Sequence, residues 1–225
     1  EVIRSVLQQD GRHDAIRLVA LSGPTHAEEV ALQLPTTIVS ASVDKQAAEF
    51  VQQVFTNETM RVYTSSDVKG VEVSGALKNI IALAAGISTG LGYGANLKAA
   101  IITRGLAEIT RLGLAMGCAE QTFYGLAGIG DMIVTATSEH SRNNRAGELI
   151  GKGYSAKDAM DKVGMVVEGI HALPAAMRLA EQYHVEMPIT SAVNDVVTGL
   201  KTPVEAVRDL MARTQGQEFP VAKNA

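Results

Sequence analysis

The chain contains 225 residues, of which 46% are hydrophobic and 4% aromatic, and it carries a net charge of −4. This length and composition allow one large domain or two modest ones with a substantial core. The negative charge argues against a protein that binds nucleic acid through a basic face. The single cysteine, Cys118, excludes an internal disulfide framework and a metal site built from several cysteines, and it suits a reducing compartment such as the cytoplasm.

The first 66 residues alternate predicted helices and strands, which is typical of part of an α/β sheet. We predict helices over residues 1–9, 26–33 and 44–55, and strands over residues 16–21, 36–41 and 60–64. Three strands and so few helices leave sheet edges without obvious protection. We therefore expect residues 1–66 to be the C-terminal part of a larger α/β domain, in a natural protein about a hundred residues longer.

From residue 67 onward the sequence predicts only helices, so we place a second, all-α domain at residues 67–225. The predicted helices span residues 68–91, 96–116, 119–124, 132–137, 142–150, 156–162, 169–183, 189–199 and 203–212. Gly117, Gly151 and Gly199 stand where C-terminal caps are expected.

The helix predicted at 68–91 is apolar or small on every side from Val73 to Leu91, which is typical of a helix buried in a domain core. It is long enough to cross a membrane, but Lys78, Asn79 and three interior glycines favour a core helix without membrane insertion. Lys78 allows two interpretations. It reaches the surface or a structural ion pair, or it is held inside the fold as an acid–base group.

Three glycine patterns approach the spacing of a dinucleotide-binding loop, at residues 90–94, 128–130 and 151–156. None of them follows a predicted strand, and the strand–turn–helix context is what gives that motif its mechanism. We therefore expect no dinucleotide fingerprint in this chain.

The densest polar run lies at residues 138–145, shortly after Asp131. We predict that Asp131 caps a helix, with Thr135 one turn later on the same side. Ser141 is a good N-cap, and Arg142 and Asn143 then occupy a helix start that suits a phosphate or carboxylate. The alternative is a solvated loop with ordinary caps.

The histidines at 13, 26, 140, 171 and 184 show no metal-ligand spacing, and no metal site is expected. His140 is a possible general base, although a structural or exposed role is the simpler interpretation for each histidine. Glu168 can be a plain N-terminal helix charge.

Several segments together resemble the family of bacterial NAD(P)-dependent glycerol-3-phosphate dehydrogenases. The matching segments are LSGPTHAEEV (21–30), GALKNIIALAAG (75–86), NLKAAIITRGLAE (96–108), GLAGIGDMIVT (125–135), SRNNR (141–145), VVEG (166–169) and MPIT (187–190). They occur in the family's order and span nearly the whole chain. The family's N-terminal G-x-G-x-x-G half, and a further lysine that precedes residue 1 in the family pattern, are absent.

The resemblance implies a fold, a reaction and a set of site residues. The fold would be a remnant of a Rossmann-type domain followed by an all-α substrate domain like the C-terminal domain of 6-phosphogluconate dehydrogenase. The reaction would interconvert sn-glycerol 3-phosphate and dihydroxyacetone phosphate with NAD or NADP and feed glycerophospholipid synthesis. Lys78 would be the proton acceptor; substrate-binding positions would be Gly23, Thr25, Lys78, Asn79, Asp131, Thr135, Ser141, Arg142 and Asn143, and cofactor-binding positions Ala27, Arg142, Val166 and Glu168.

These expectations leave two alternatives open. The chain could be the helical substrate domain of another hydroxy-acid or sugar-acid dehydrogenase, or a non-catalytic fragment that dimerises or binds phosphate. In the favoured interpretation a cytoplasmic enzyme acts on a small phosphate ester, a homodimer is possible, and the 225 residues alone are expected to be inactive because the pyrophosphate-binding loop is missing.

Overall fold

The computed structural model describes residues 2–9, 11 and 16–218. In chain order its elements are α1 (Val2–Gln9), β1 (Ala20–Ser22), α2 (Ala27–Ala31), β2 (Thr36–Ala41), α3 (Lys45–Phe55), β3 (Met60–Ser65), α4 (Val68–Gly90), α5 (Ala95–Ala115), α6 (Glu120–Phe123), α7 (Asp131–Thr137), α8 (Arg142–Gly151), α9 (Ala156–Val163), α10 (Glu168–Gln182), α11 (Pro188–Val197) and α12 (Pro203–Met211). The predicted combination of a small sheet and a helical region is confirmed.

The three strands form one sheet in the order β1-β2-β3. β2 and β3 are parallel, with Thr36 opposite Met60 and Ala41 opposite Ser65, and α3 connects them as an α/β unit requires. β1 runs antiparallel to β2. The strand predicted at residues 16–21 is shorter in the structure and begins later in the chain, because β1 spans only Ala20–Ser22.

Helix α4 is the centre of the helical region, and α5, α7, α8, α10 and α11 all pack against it. Its side chains from Ile80 to Leu83 are at most 1% exposed, as the prediction of a core helix required. The Asp67 side chain caps its start by accepting a hydrogen bond from the Gly70 N–H. The helix is long and apolar enough to span a membrane, and in this fold that apolar surface packs against other helices of the same chain.

Helices α4 and α8 approach so closely that glycines form the contact. A Cβ atom added at Gly86 would lie 2.1 Å from the Asn144 carbonyl oxygen, and one added at Gly147 would lie 2.1 Å from the Leu83 carbonyl oxygen. Gly151 also belongs to this contact, because its added Cβ would meet the Ile87 carbonyl oxygen at 2.3 Å. The prediction that Gly151 is a C-terminal cap is therefore wrong: α8 continues through it because the residue is needed for packing against α4.

Glu108 of α5 is a buried carboxylate, 3% exposed, that holds the start of α11. It accepts hydrogen bonds from the Ile189 N–H at 2.6 Å and from the Thr190 N–H and hydroxyl, each at 3.1 Å. Burial raises its pKa above the usual value for a glutamate, and these hydrogen bonds oppose the rise. The sequence analysis did not single out this residue.

Replacing Gly147 by alanine should lower the free energy of unfolding by about 1–3 kcal/mol, because the added methyl forces α4 and α8 apart. Urea unfolding measures the change. Gly75→Ala on α4 is the matched control, since its nearest neighbour would be the Ser22 hydroxyl at 3.5 Å. That control should be neutral or stabilising by up to about 1 kcal/mol, because alanine favours a helix over glycine. Equal effects of the two substitutions would contradict the close contact.

Replacing Glu108 by alanine should cost about 1–3 kcal/mol of unfolding free energy, because it leaves the buried first N–H groups of α11 without an acceptor. Glu148→Ala is the control, since Glu148 pairs with Lys152 on the exposed surface of α8 and should change stability by less than about 0.5 kcal/mol. A loss at Glu108 no larger than the control's would show that water satisfies α11 equally well.

Candidate active site

A cavity of about 430 Å³ lies where the sheet and the helical region meet. Its walls come from the end of β1 and the segment after it, residues 75–79 of α4, helix α7, the loop before α8 and the first turns of α8 and α10. All nine predicted substrate-binding positions line this cavity, and so does Glu168, one of the predicted cofactor-binding positions. These are Gly23, Thr25, Lys78, Asn79, Asp131, Thr135, Ser141, Arg142, Asn143 and Glu168.

Lys78 forms an ion pair with Asp131 and donates a second hydrogen bond to the Thr135 hydroxyl at 3.1 Å. The Lys78 side chain is 17% exposed and that of Asp131 is 6% exposed, so the lysine side chain is the more exposed partner. Lys78 therefore does not extend to the surface; it lies in a largely buried ion pair at a cavity wall, and its role as an acid–base group stays a prediction.

The prediction that Asp131 caps a helix is wrong. Asp131 is the first residue of α7, Gly130 occupies the N-cap position, and no side chain caps that end. The preceding segment, Leu126–Gly130, is a wide helical turn with a non-helical backbone at Gly128. Because a Cβ at Gly128 would lie 2.0 Å from the Phe123 carbonyl oxygen, only glycine fits this turn, and the turn directs the Asp131 carboxylate toward Lys78.

Burial raises the pKa of Asp131 above its usual value, while the Lys78 charge and hydrogen bonds from Lys78, Thr135 and Ser22 oppose that rise. Ser22 ends β1 and lies 3.5 Å from the second carboxylate oxygen of Asp131. The sequence analysis missed this residue, although its position beside the Gly23-Pro24 turn at a strand end was a usable signal. A residue of the sheet region thus contacts the Lys78–Asp131 pair of the helical region.

The start of α8 provides free hydrogen-bond donors to the same cavity. Ser141 is its N-cap, as predicted, and accepts from the Asn144 N–H at 3.2 Å. Within the described residues, the N–H groups of Arg142 and Asn143 have no hydrogen-bond partner. A helix start with free N–H groups and its positive dipole end binds phosphate or carboxylate groups well.

Side chains of the first turn of α8 connect it to α4 and α10. Arg142 forms an ion pair with Glu168 at 2.5 Å. The Asn143 amide donates to the Asn79 side-chain oxygen at 3.1 Å and to Glu168 at 3.4 Å, and its oxygen accepts from the Gly169 N–H at 2.7 Å. Because this amide is 4% exposed and fully bonded within the chain, it holds three helix segments in register around the cavity.

Gly23 and Thr25 bring the sheet region to the cavity. Gly23 is buried with φ +149°, and a Cβ there would meet the Ile38 Cα at 3.0 Å, so the position needs glycine. The predicted cofactor positions Ala27 and Val166 are exposed and are not among the residues that line the cavity. Their assignment stays a prediction.

Two histidines that the sequence analysis left as structural or exposed also line the cavity, His26 and His140. Their rings are 5.8 Å apart between centroids at an interplanar angle of 62°. Only their positions in the sequence could have indicated this location. His26 follows the Gly23-Pro24 turn, and His140 directly precedes the Ser141 cap. Among the described residues, no group of three or more histidine, cysteine, aspartate or glutamate side chains could hold a metal ion.

Comparison with known proteins identifies one family over most of the chain. Residues 67–208 match the C-terminal domain of NAD-dependent glycerol-3-phosphate dehydrogenase, and residues 1–48 match the N-terminal domain of the same family.

Curated relatives include glycerol-3-phosphate dehydrogenase [NAD(P)+] 2 of Lactobacillus delbrueckii subsp. bulgaricus, 61% identical over 219 residues, which are 97% of this chain and 65% of the relative. The Bacillus subtilis glycerol-3-phosphate dehydrogenase [NAD(P)+] is 55% identical over 97% of this chain and 63% of its own length. The chain thus spans slightly less than two thirds of the length of these relatives.

Solved structures of glycerol-3-phosphate dehydrogenases also superpose on this chain. The crystal structure of glycerol-3-phosphate dehydrogenase from Coxiella burnetii superposes with a TM-score of 0.84 at 39% identity, covering 87% of this chain and 60% of that one. The Saccharomyces cerevisiae enzyme superposes with a TM-score of 0.79 at 26% identity, covering 92% and 63%.

Replacing Lys78 by methionine should destabilise the fold more at high pH than at low pH. The folded pKa of Asp131 already lies above its usual value, and loss of the Lys78 charge raises it further. A raised folded pKa gives stability that is fully present at low pH and falls as pH rises through the raised value. We expect the loss of unfolding free energy to be about 1 kcal/mol or more larger near pH 8 than near pH 5.

Urea unfolding at both pH values measures this difference. Lys152→Met is the matched control, because Lys152 pairs with Glu148 on the surface and its side chain is 53% exposed. The control should show no comparable pH dependence. A Lys78 variant with the same loss at both pH values would contradict the prediction.

Proposed function

The chain belongs to the NAD-dependent glycerol-3-phosphate dehydrogenase family, and from that premise we propose that the protein interconverts sn-glycerol 3-phosphate and dihydroxyacetone phosphate with NAD or NADP. The observation that carries the proposal is the juxtaposition, in one cavity, of the Lys78–Asp131 pair and the free N–H groups at the start of α8. The Lys78–Asp131 pair would provide the acid–base chemistry, and the start of α8 would bind an anion. The substrate needs both, because it has a hydroxyl group to be deprotonated and a phosphate to be held.

Lys78 is the proton-handling group in this proposal. In the oxidation direction its neutral amine accepts the proton of the C2 hydroxyl, and in reduction its ammonium donates a proton to the forming alkoxide. Asp131 and Thr135 hold the Lys78 nitrogen in place at the cavity wall.

The start of α8 holds the phosphate group. The N–H groups of Arg142 and Asn143 provide two donors, and the remaining N–H groups of the Arg142 guanidinium provide others. Binding at the phosphate places C2 near Lys78, so that binding energy remote from the reacting atom is used to orient it.

The described residues fit one end of a nicotinamide cofactor, which when bound supplies the hydride acceptor or donor. The observation that supports this is the partly exposed Arg142–Glu168 pair at the cavity edge, with 36% and 38% of the side chains exposed. Exposed Val166 lies two residues before Glu168. Arg142, Glu168, Val166 and Ala27 are the residues that we propose as contacts on this side.

We also propose the division into a sheet domain over residues 1–66 and a helical domain over residues 67–225. The end of β3 at Ser65 and the family match that begins at residue 67 support it.

The protein would act in the cytoplasm on a small phosphate ester and supply sn-glycerol 3-phosphate to glycerophospholipid synthesis. A homodimer fits the proposal; nucleic acid and stable membrane insertion have no role in it.

Another hydroxy-acid or sugar-acid dehydrogenase would also use a lysine on a buried helix. The phosphate-binding start of α8 favours the glycerol phosphate reaction over an acid whose carboxylate lies next to the reacting carbon. A non-catalytic phosphate-binding fragment would have no need of the Lys78–Asp131 pair beside the anion site.

Replacing Lys78 by alanine in the full-length protein, the chain at the length of its curated relatives, should lower kcat for dihydroxyacetone phosphate reduction by about 10²–10⁴-fold. Oxidation of NADH or NADPH, followed by absorbance, measures the rate. Lys69→Ala on the same helix is the control and should keep the rate, because Lys69 is exposed and contacts only the Met116 carbonyl oxygen in the described residues. A Lys78 variant with near-normal turnover would refute the assignment, and an inactive wild-type protein would refute the proposed function.

A further inference from the structure

The two carboxylate oxygens of Asp131 have different partners. Oδ1 accepts a hydrogen bond from the Lys78 ammonium and lies 3.3 Å from the Thr135 hydroxyl. Oδ2 has one partner among the described residues, the Ser22 hydroxyl, at 3.5 Å. Because the Asp131 side chain is only 6% exposed, each of its oxygens depends on donors from the protein. Ser22 supplies such a donor to the oxygen that Lys78 does not contact.

The sheet fixes the backbone of Ser22 on both sides. Ser22 is the last residue of β1 and lies opposite Val39 in the antiparallel ladder with β2. The next residue, Gly23, has φ +149°, and a Cβ atom there would lie 3.0 Å from the Ile38 Cα. The place of the Ser22 hydroxyl is therefore set by strand pairing and by a turn that needs glycine.

Ser22 also packs directly against α4, the helix that carries Lys78. A Cβ atom added at Gly75, about one turn before Lys78, would lie 3.5 Å from the Ser22 hydroxyl. Ser22 and Gly75 line the same cavity as the Lys78–Asp131 pair. The hydroxyl thus lies where the sheet region, α4 and α7 meet.

We propose that Ser22 is a positioning residue, which holds Asp131 by its Oδ2 so that Oδ1 stays directed at Lys78. The inference rests on the proposed function, in which Lys78 handles the proton of the substrate. It deepens that function by adding a residue of the sheet region to the acid–base machinery of the helical region. Ser22 acts through Asp131 and needs no contact with the substrate.

The contact has a consequence for the charge of Asp131. A hydroxyl that donates to a carboxylate favours its ionised form. Burial raises the pKa of Asp131, and the Ser22 hydrogen bond is one of the contacts that oppose this rise. Loss of the Ser22 hydroxyl should raise the pKa further. Asp131 would then take up a proton, and lose its ion pair with Lys78, at a higher pH than in the wild type.

Other titratable groups lie close enough to affect Asp131. Lys78 is in direct contact with it, and the remaining titratable side chains that line the cavity are His26, His140, Arg142 and Glu168. These groups, and all groups of the full-length protein outside the described residues, are the same in the wild type and in variants of Ser22. A difference between their pH profiles therefore reports the change at position 22.

The test replaces Ser22 by alanine in the full-length protein and measures kcat and KM for dihydroxyacetone phosphate between about pH 5.5 and pH 9. The acidic limb of the kcat profile should move up by about half a pH unit to one unit, because the protonated form of Asp131 persists to higher pH. Near pH 6 kcat should fall about 3- to 10-fold and KM should change less than about 2-fold, since Ser22 acts on the chemical step.

Threonine and valine at position 22 separate the hydroxyl from its shape. Ser22→Thr keeps the donor on a β-branched side chain, which suits a strand, and should restore most of kcat and the position of the acidic limb. Ser22→Val has nearly the same shape without the donor and should behave as Ser22→Ala does. Equal pH profiles for the threonine and valine variants would refute the positioning role.

Ser40→Ala is the matched control on the neighbouring strand. Ser40 lies opposite Leu21 in the β1–β2 ladder, is fully buried and donates to the Ala48 carbonyl oxygen at 3.0 Å, but it does not line the cavity. Its loss should lower the free energy of unfolding, measured in urea, without moving the acidic limb. The same shift of that limb in Ser40→Ala and Ser22→Ala would show a general effect of the sheet and refute the inference.

The outcomes distinguish this inference from the proposed function. An active wild type whose acidic limb is unchanged in Ser22→Ala refutes the inference and keeps the function. A raised KM with an unchanged kcat also refutes it, because that pattern shows a substrate contact. A wild type inactive with dihydroxyacetone phosphate refutes the proposed function instead.

Discussion

The site depends first on the close approach of two helix backbones. Gly86 on α4 and Gly147 on α8 leave no room for a side chain between them, so the carbonyl groups of each helix lie against the backbone of the other. This contact sets the start of α8 beside residues 78–79 of α4, where Asn143 bonds to Asn79. A wider separation would move the start of α8 away from Lys78, and no change in a side chain of the cavity could compensate for that distance.

Two ion pairs of different exposure line the cavity, Lys78–Asp131 and Arg142–Glu168. Lys78, which we propose as the proton-handling group, is oriented by the carboxylate of Asp131. Arg142 and Glu168 repeat the pattern at the edge, where greater exposure weakens the pair and leaves the guanidinium open to a ligand. The largely buried pair that we propose for the chemistry and the half-exposed pair that we propose for binding therefore line the same cavity.

Much of this could be predicted from residue patterns. The all-apolar helix, the Ser141 cap and the α/β unit from β2 to β3 follow from local rules, and the structure has them. Asp131 was misread because a carboxylate between glycines and an apolar run is usually a cap, while its real role depends on the non-helical turn at Gly128 and on a lysine 53 residues away. Gly151 was assigned wrongly and Glu108 was overlooked for a similar reason. Gly151 contacts Ile87 and Glu108 contacts the start of α11, and the spacing of apolar residues along the chain does not encode such contacts.

The turn at Gly128 has a consequence for how the site meets its ligand. Because the backbone there excludes any other residue, the direction of the Asp131 carboxylate is settled when the chain folds. The rotational entropy of that side chain, and of the Lys78 side chain that it holds, is lost before any substrate arrives. Association of the proposed substrate then bears no ordering cost for this pair. Gly128, between two short helices, thus shifts the ordering of the proposed acid–base pair from substrate binding to folding.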